Sequence, residues 1–212
     1  MAKTLEGDRA IEWGFVTENL PPDPMSTRRV LDFGPMDGFH LSHDASNKGY
    51  KVIAVGLEDI YPPHPGIQYI RQDIMTVEFD ESFDYILNSS TIEHVGLGRY
   101  GDPVGADLDL AAMRHLRKWM RLDGDGIMLL TLPVGVDAVV GYYHRVYGRE
   151  RLPRLLEGYA VLREQYWVKA DDNSQWLSCT KERALAEAPG QVPEPSILNL
   201  SYALGGLVLC AA

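Results

Sequence analysis

Short, nearly continuous apolar runs alternate along this chain with longer stretches of helical period, and that alternation predicts most of its elements. Ile11, Phe15, Val16 and Leu20 recur at near-helical spacing, so residues 8–20 read as a leading helix, ended by Pro21-Pro22-Asp23-Pro24. The run Arg29-Val30-Leu31-Asp32-Phe33-Gly34 is a buried strand by its length and β-branching, and it stops at a glycine. A turn from Gly34 to Gly38 leads into a helix over 39–48, with Gly49 in the position that commonly closes helices. Residues 50–57 (YKVIAVGL) form a second strand, 67–70 a weaker third and 84–87 a fourth. Residues 107–121 carry Leu108, Leu110, Ala111, Met113, Leu116, Trp119 and Met120, the pattern of an amphipathic helix. Arg114, Arg117, Lys118 and Arg121 lie opposite and towards the C-terminal end, where they suit the helix dipole. An Asp-Gly-Asp-Gly turn precedes a fifth strand at 127–132, and strands at 159–168 and 206–210 follow on either side of the Pro-rich residues 189–195. Strands alternating with helices predict an α/β fold: a seven-stranded, mostly parallel sheet with helices on both faces and the last strand antiparallel.

Composition narrows the class. The 212 residues suffice for one domain, and 45% apolar with 24% charged residues is ordinary for a globular protein. Thirty acidic against twenty basic residues leave a net charge of −10, which argues against nucleic acid as a partner, since phosphates are held by Lys and Arg. Cys179 and Cys210 lie far apart, so neither a disulfide framework nor a zinc site is indicated. The first eight residues carry no apolar run of signal-peptide length, and no stretch approaches the ~20 apolar residues of a membrane span, so a cytoplasmic location is expected.

The turn Gly34-Pro35-Met36-Asp37-Gly38 carries the first chemical hint. A strand ending in Asp-Phe-Gly before a glycine-bearing turn and a helix lets backbone approach a ligand closely. Its GxxxG spacing differs from the GxGxxG dinucleotide fingerprint, which counts against an NAD-dependent oxidoreductase. Residues 30–38 resemble the first motif of the class I S-adenosylmethionine-dependent methyltransferases, and three more matches follow in order. Gln72-Asp73-Ile74 is similar to the loop that reads the adenine amino group. Residues 83–95, ending Ile-Glu-His-Val, are similar to the fourth-strand motif, and 107–132 to the segment after it. The resemblance covers about residues 28–135. It implies a Rossmann-like fold in a single domain over 1–212, with a leading helix and linker (1–24), a donor-binding half (28–135) and an acceptor-side, sheet-closing half (136–212). It implies S-adenosyl-L-methionine as cofactor, held by Gly34, Pro35, Asp37, Gly38, Glu58, Asp73, Ile74, Asn88, Ser89 and Ser90. One departure stands out: the acid that commonly closes the second strand and grips the ribose is Gly56 here, and the nearest acid is Glu58.

A narrower resemblance joins residues 90–103, His144 to Gly148 and the early Arg-Ala-Ile-Glu-Trp (9–13) to methyltransferases associated with surface-glycan assembly. It implies a glycan or other small-molecule acceptor, methylated on a sugar hydroxyl. Such a hydroxyl needs a base or a metal ion to take its proton. Candidates on the loops after the fourth and fifth strands are Glu93, His94, Asp102 and His144. Two arrangements stand open: His144 as a metal-free base, or Glu93, His94 and His144 together holding a divalent ion of the Mn²⁺ type. The first is favoured, because Ser90 replaces one carboxylate of the Glu-x-x-Glu-His metal motif. The Gly-rich loop 96–105, with Arg99 and Tyr100, reads either as a lid over the acceptor or as a plain connector. Trp167 or Trp176 is a candidate for stacking on a sugar ring. Other acceptors (a phenol or amine) and a non-catalytic donor-binding module are the competing functions.

Overall fold

The computed structural model describes residues 9–36, 38–61, 65–121, 124–170, 175–188 and 202–212. In chain order these form α1 (Arg9–Asn19), β1 (Arg29–Phe33), α2 (His40–Asn47), β2 (Lys51–Gly56), β3 (Ile67–Arg71), β4 (Tyr85–Ser89), a 3₁₀ turn (Ile92–His94), α3 (Leu108–Lys118) and β5 (Ile127–Val134). The second half adds β6 (Ala138–Val140), β7 (His144–Val146), α4 (Arg151–Leu155), β8 (Tyr159–Lys169), β9 (Trp176–Cys179), α5 (Lys181–Ala184) and β10 (Ala203–Ala211). One eight-stranded sheet runs β3-β2-β1-β4-β5-β10-β8-β9, while β6 and β7 form a separate hairpin. Strands β1 to β5 are mutually parallel, and β10 enters antiparallel between β5 and β8.

All seven expected strands are present, and the last is antiparallel as expected. The sheet has eight strands because β9, four residues long, pairs antiparallel with the outer end of β8. A segment that short and partly polar shows no alternation to read. Helix α3 ends at Lys118, short of the expected 121. Trp119 and Met120 keep the apolar period, but Phe83 N–H donates to the Trp119 carbonyl at 2.7 Å and Arg121 N–H to the Phe83 carbonyl at 3.1 Å. Sheet pairing takes these residues out of the helix.

Strand period sorts the core into two layers. On one face Val30, Val52, Leu87 and Leu129 pack with Phe15 and Val16 of α1 and Leu41 and Ala45 of α2. On the other, Leu31, Val55, Ile86 and Leu130 pack with Leu110, Met113 and Leu116 of α3. Each of the larger of these buried side chains contributes about 1.5–3 kcal/mol. The chain leaves β1 for β2 and β3, then returns to β4 on the other side of β1. The strand order therefore reverses between β1 and β4, where open α/β sheets have a crevice at their carboxyl ends. No helix among the described residues is long and apolar enough to cross a membrane.

Candidate active site

A cavity of about 410 Å³ opens at that reversal, walled by the ends of β1, β2 and β4 and the segment after β3. Gly34 forms its floor with a φ of +74°, and its N–H donates to the Val55 carbonyl at 2.8 Å. A Cβ at Gly34 would lie 2.2 Å from Cγ2 of Thr91. Gly34→Ala is therefore expected to cost about 2 kcal/mol, from the left-handed conformation and the displaced threonine together, read as a shift in the urea midpoint. Pro35 and Met36 continue the wall. Gly38 lies off the cavity, its α-carbon facing the His40 ring. Asp37 falls outside the described residues.

Beyond β2, Glu58 reaches the cavity rim, and its carbonyl accepts the Tyr69 hydroxyl at 2.7 Å. At Gly56 a Cβ would sit 3.1 Å from the Tyr69 hydroxyl and 3.4 Å from Pro35 Cδ, so a side chain there would need only a small shift of the tyrosine. After β3, Gln72, Asp73 and Ile74 line the cavity. Oδ1 of Asp73 accepts the Met75 N–H at 2.9 Å and its carbonyl accepts the Thr76 N–H at 2.9 Å, which pins the turn.

The residues ending β4 divide by strand period. Asn88 is fully buried, its amide 3.7 Å from the Met113 sulfur under α3, so it does not line the cavity as expected. Ser89 faces the opposite way, 3.0 Å from the Thr131 hydroxyl, beside a small recess with Asp32, Trp13 and His40. Burial pushes the Asp32 carboxyl up to about 6, against the Ser42 hydroxyl donating to it at 2.6 Å. Ser90, at φ +47°, does line the cavity, and its hydroxyl donates to the buried Glu12 of α1. Glu12 also accepts Arg9 at 2.9 Å, so α1 brings Arg9 to the cavity wall. Sequence reading missed this pair, and nothing local sets Glu12 apart from Glu18 in the same helix.

On the far wall stands His94. Its Nδ1 meets the carbonyl of Tyr143 at the tip of the β6–β7 hairpin. A carbonyl only accepts, so Nδ1 carries the hydrogen and Nε2 remains an acceptor, 3.7 Å from Oε1 of the buried Glu93. Burial first, and the nearby Arg99 charge second, hold the ring down to about 3, so it is neutral at physiological pH.

His144 does not reach the cavity. The expected loop is the β6–β7 hairpin, and β7 turns His144 inward, its ring 6.4 Å from that of His94 and 5.4 Å from that of Tyr202. Asp102 lines the cavity, but its carboxylate accepts the Gly96 N–H at 2.7 Å and the Tyr100 N–H at 3.2 Å, which makes it a loop clasp. Glu93 is likewise off the cavity wall. Among the described residues no three His, Cys, Asp or Glu side chains are grouped to hold a metal, Glu93, His94 and His144 included.

Loop 96–105 is a wall rather than a plain connector. It closes on itself through a Leu97–Val104 bridge and a Gly105 N–H donating to Gly96 at 3.0 Å, with Arg99 and Tyr100 on the cavity. Behind it, the buried Arg145 donates to the carbonyls of Val95 and Gly105. The buried Asp109 accepts the Tyr147 hydroxyl at 2.9 Å and Arg151 Nε at 3.0 Å. The His-Arg-Val-Tyr-Gly stretch is thus a brace for the wall. Trp167 packs edge-on against Phe15, Trp176 lies beside Lys169, and neither lines the cavity.

The fold is shared with solved methyltransferases. The chain is similar to the Burkholderia thailandensis 1,6-didemethyltoxoflavin-N1-methyltransferase, solved with 1,6-didemethyltoxoflavin and S-adenosylhomocysteine. That likeness has 16% identity, covers 98% of this chain and 80% of that chain, and has a TM-score of 0.57. For the N-methyltransferase NodS from Bradyrhizobium japonicum WM9 the values are 12%, 97%, 96% and 0.57. For an S-adenosylmethionine-dependent methyltransferase from Clostridium acetobutylicum ATCC 824 they are 12%, 98%, 94% and 0.56. Identities this low carry the fold alone, a Rossmann-like α/β sheet. A family model described as "Caenorhabditis protein of unknown function, DUF268" matches residues 68–187. No curated protein matches the chain.

Proposed function

The chain belongs to the DUF268 family, whose description carries no activity, and from its site we propose that it is an S-adenosylmethionine-dependent methyltransferase acting on a hydroxyl, foremost that of a sugar. One observation carries this reading: a single cavity at the strand-order reversal joins a glycine-only floor to acids on one side and a neutral histidine on the other.

The cavity suits the donor. The missing side chain at Gly34 leaves backbone free to approach it, Glu58 and Asp73 offer carboxylates to hydroxyl and amino donors, and Ile74 gives an apolar surface. Bound there, the donor supplies a methyl group already activated on a sulfonium. The chain's own part is positioning and proton removal. His94, hydrogen-bonded through Nδ1, keeps a lone pair on Nε2 for the acceptor proton, and Glu93 stands close enough to favour the imidazolium that results. Asp102, Arg145 and Asp109 are positioning residues that hold the wall carrying His94 and Arg99.

Calorimetry with S-adenosylhomocysteine tests the donor half. Binding is expected, with Asp73→Ala weakening it by about 1–3 kcal/mol, the cost of an unpaired buried partner. Glu58→Gln should weaken it less than Glu58→Ala. No heat with this ligand, and a clear heat with NAD, would overturn the reading.

A nitrogen acceptor is the second reading. The low proton affinity of His94 favours it, since an amine arriving neutral asks little of a base, and two of the similar solved proteins are N-methyltransferases by name. Labelled methyl transfer to a panel of sugars, phenols and amines separates the two.

A further inference from the structure

Arg99 is the cation of this cavity that the preceding reading leaves without a task. It sits at the tip of the wall formed by loop 96–105, on the same side as His94. Its Nη1 donates to the Tyr143 carbonyl at 3.1 Å and lies 3.3 Å from His94 Nδ1. Its guanidinium carbon stands 5.2 Å from the Tyr100 ring centre and 5.8 Å from that of Tyr143. The head group is therefore fixed in place by one nitrogen and two aromatic rings, while Nε and Nη2 make no hydrogen bond among the described residues.

No carboxylate among the described residues pairs with it. Asp102, three residues on, is taken up by the amides of Gly96 and Tyr100. Glu93 faces His94. Arg9, the other arginine on the cavity, pairs with Glu12, whereas Glu58 and Asp73 stand on the segments after β2 and β3. A partly desolvated guanidinium with a free edge and no salt-bridged carboxylate among the described residues is a receptor for a planar or tetrahedral oxyanion, which the two N–H groups of one edge can grip side by side. The chain carries a net charge of −10, so a positive site on it marks a local requirement.

We infer that Arg99 anchors an acidic acceptor: a carboxylate or phosphate on the molecule to be methylated docks on the Nε/Nη2 edge, beside His94. The inference rests on the methyltransferase reading and sharpens its substrate class. It also bears on the base. His94 is held neutral by burial and by the charges of Arg99, His144 and Arg9, with Glu93 the nearby opposing charge. An oxyanion on Arg99 offsets one of those charges as the acceptor arrives, so the ring gains basicity when its proton is due.

The test titrates the protein, saturated with S-adenosylhomocysteine, with glucuronate, glucose 1-phosphate and glucose in a calorimeter. At least one of the two acids should bind tenfold or more tightly than glucose, and which one does so separates carboxylate from phosphate. Arg99→Gln should erase that difference with its affinity for S-adenosylhomocysteine kept within about twofold, and Arg99→Lys should retain part of it. Equal binding of acids and glucose, or an Arg99→Gln variant that binds the acids as before, overturns the inference. So does an Arg99→Gln variant that loses S-adenosylhomocysteine yet keeps 5′-methylthioadenosine, because Arg99 would then hold the donor's own carboxylate. Failure of the unaltered protein to bind S-adenosylhomocysteine instead removes the methyltransferase reading beneath it.

Discussion

Replacing Asp109 with alanine is expected to lower stability by about 3–5 kcal/mol, the range found when one partner of a buried charge pair is removed. Asp109 has no exposed surface and Arg145 only 2%. The carboxylate accepts Tyr147 and Arg151, and its Oδ2 lies 3.7 Å from Arg145 Nε. Without it, Arg145 keeps the carbonyls of Val95 and Gly105 but loses its charge partner inside the protein. Urea denaturation measures the loss, and Asp109→Asn should recover a minor part by keeping the Tyr147 hydrogen bond. A loss under 1 kcal/mol would mean that the three groups are not acting as one buried network. Because the same arginine braces the wall that carries Arg99, Asp109→Ala should also weaken acceptor binding more than donor binding.

The second large effect concerns turnover. With an acceptor in hand, His94→Ala should cut kcat by about 10²–10⁴-fold, the usual scale for general acid–base catalysis, while the affinity for S-adenosylhomocysteine stays. Full activity in His94→Ala would remove the ring from the chemistry. An independent reading comes from stability against pH. The folded-state pKa of His94 is depressed to about 3, so below pH 6.5 the unfolded chain takes up a proton that the folded protein refuses. His94 therefore costs stability as pH falls, about 2 kcal/mol by pH 5. The His94→Gln variant should gain on the parent between pH 7 and pH 5 in paired melts. Asp32, raised to about 6, works the other way: its contribution grows as pH falls through 6 and is lost as pH rises. It is present in both proteins, so their difference isolates His94. Parallel melting curves for parent and variant across this range would show that the ring titrates normally.

The elements were legible where one physical signal dominated. The strands at 29–34, 50–57 and 127–132 are nearly continuous apolar runs that are mostly buried, and nothing competes with that reading. The β6–β7 hairpin and β9 escaped because three or four residues fix no period. Gly34, Pro35, Glu58, Asp73, Ile74 and Ser90, which the methyltransferase resemblance implied for the donor, do line one cavity, because they stand at turns whose places the strands dictate. Asn88 and His144 went astray for one reason: each lies in a strand, where a single residue's step decides between the cavity side and the interior. Arg9 and Glu12 were out of reach because their partner, Ser90, is 78 residues from Glu12. The wall of loop 96–105 was visible as a glycine-rich stretch, but what holds it comes from β7 and α3, which no local pattern connects to it.

The place of β10 bears on how the protein reaches its native state. Strands β1 to β5 are complete by residue 134, and their pairing with one another uses nothing from the last third of the chain. The outer edge of β5 is then a bare row of amides and carbonyls until residues 203–211 arrive, about seventy residues downstream, and only then can β8 join. Closing so long a stretch costs entropy before any pairing repays it. Until it is complete, β5 offers Met128, Leu130 and Leu132 along an unguarded edge to any other unfinished chain. A half-assembled sheet with this strand still outside is the species from which aggregation would start, and dilute, cool refolding favours its passage to the closed form.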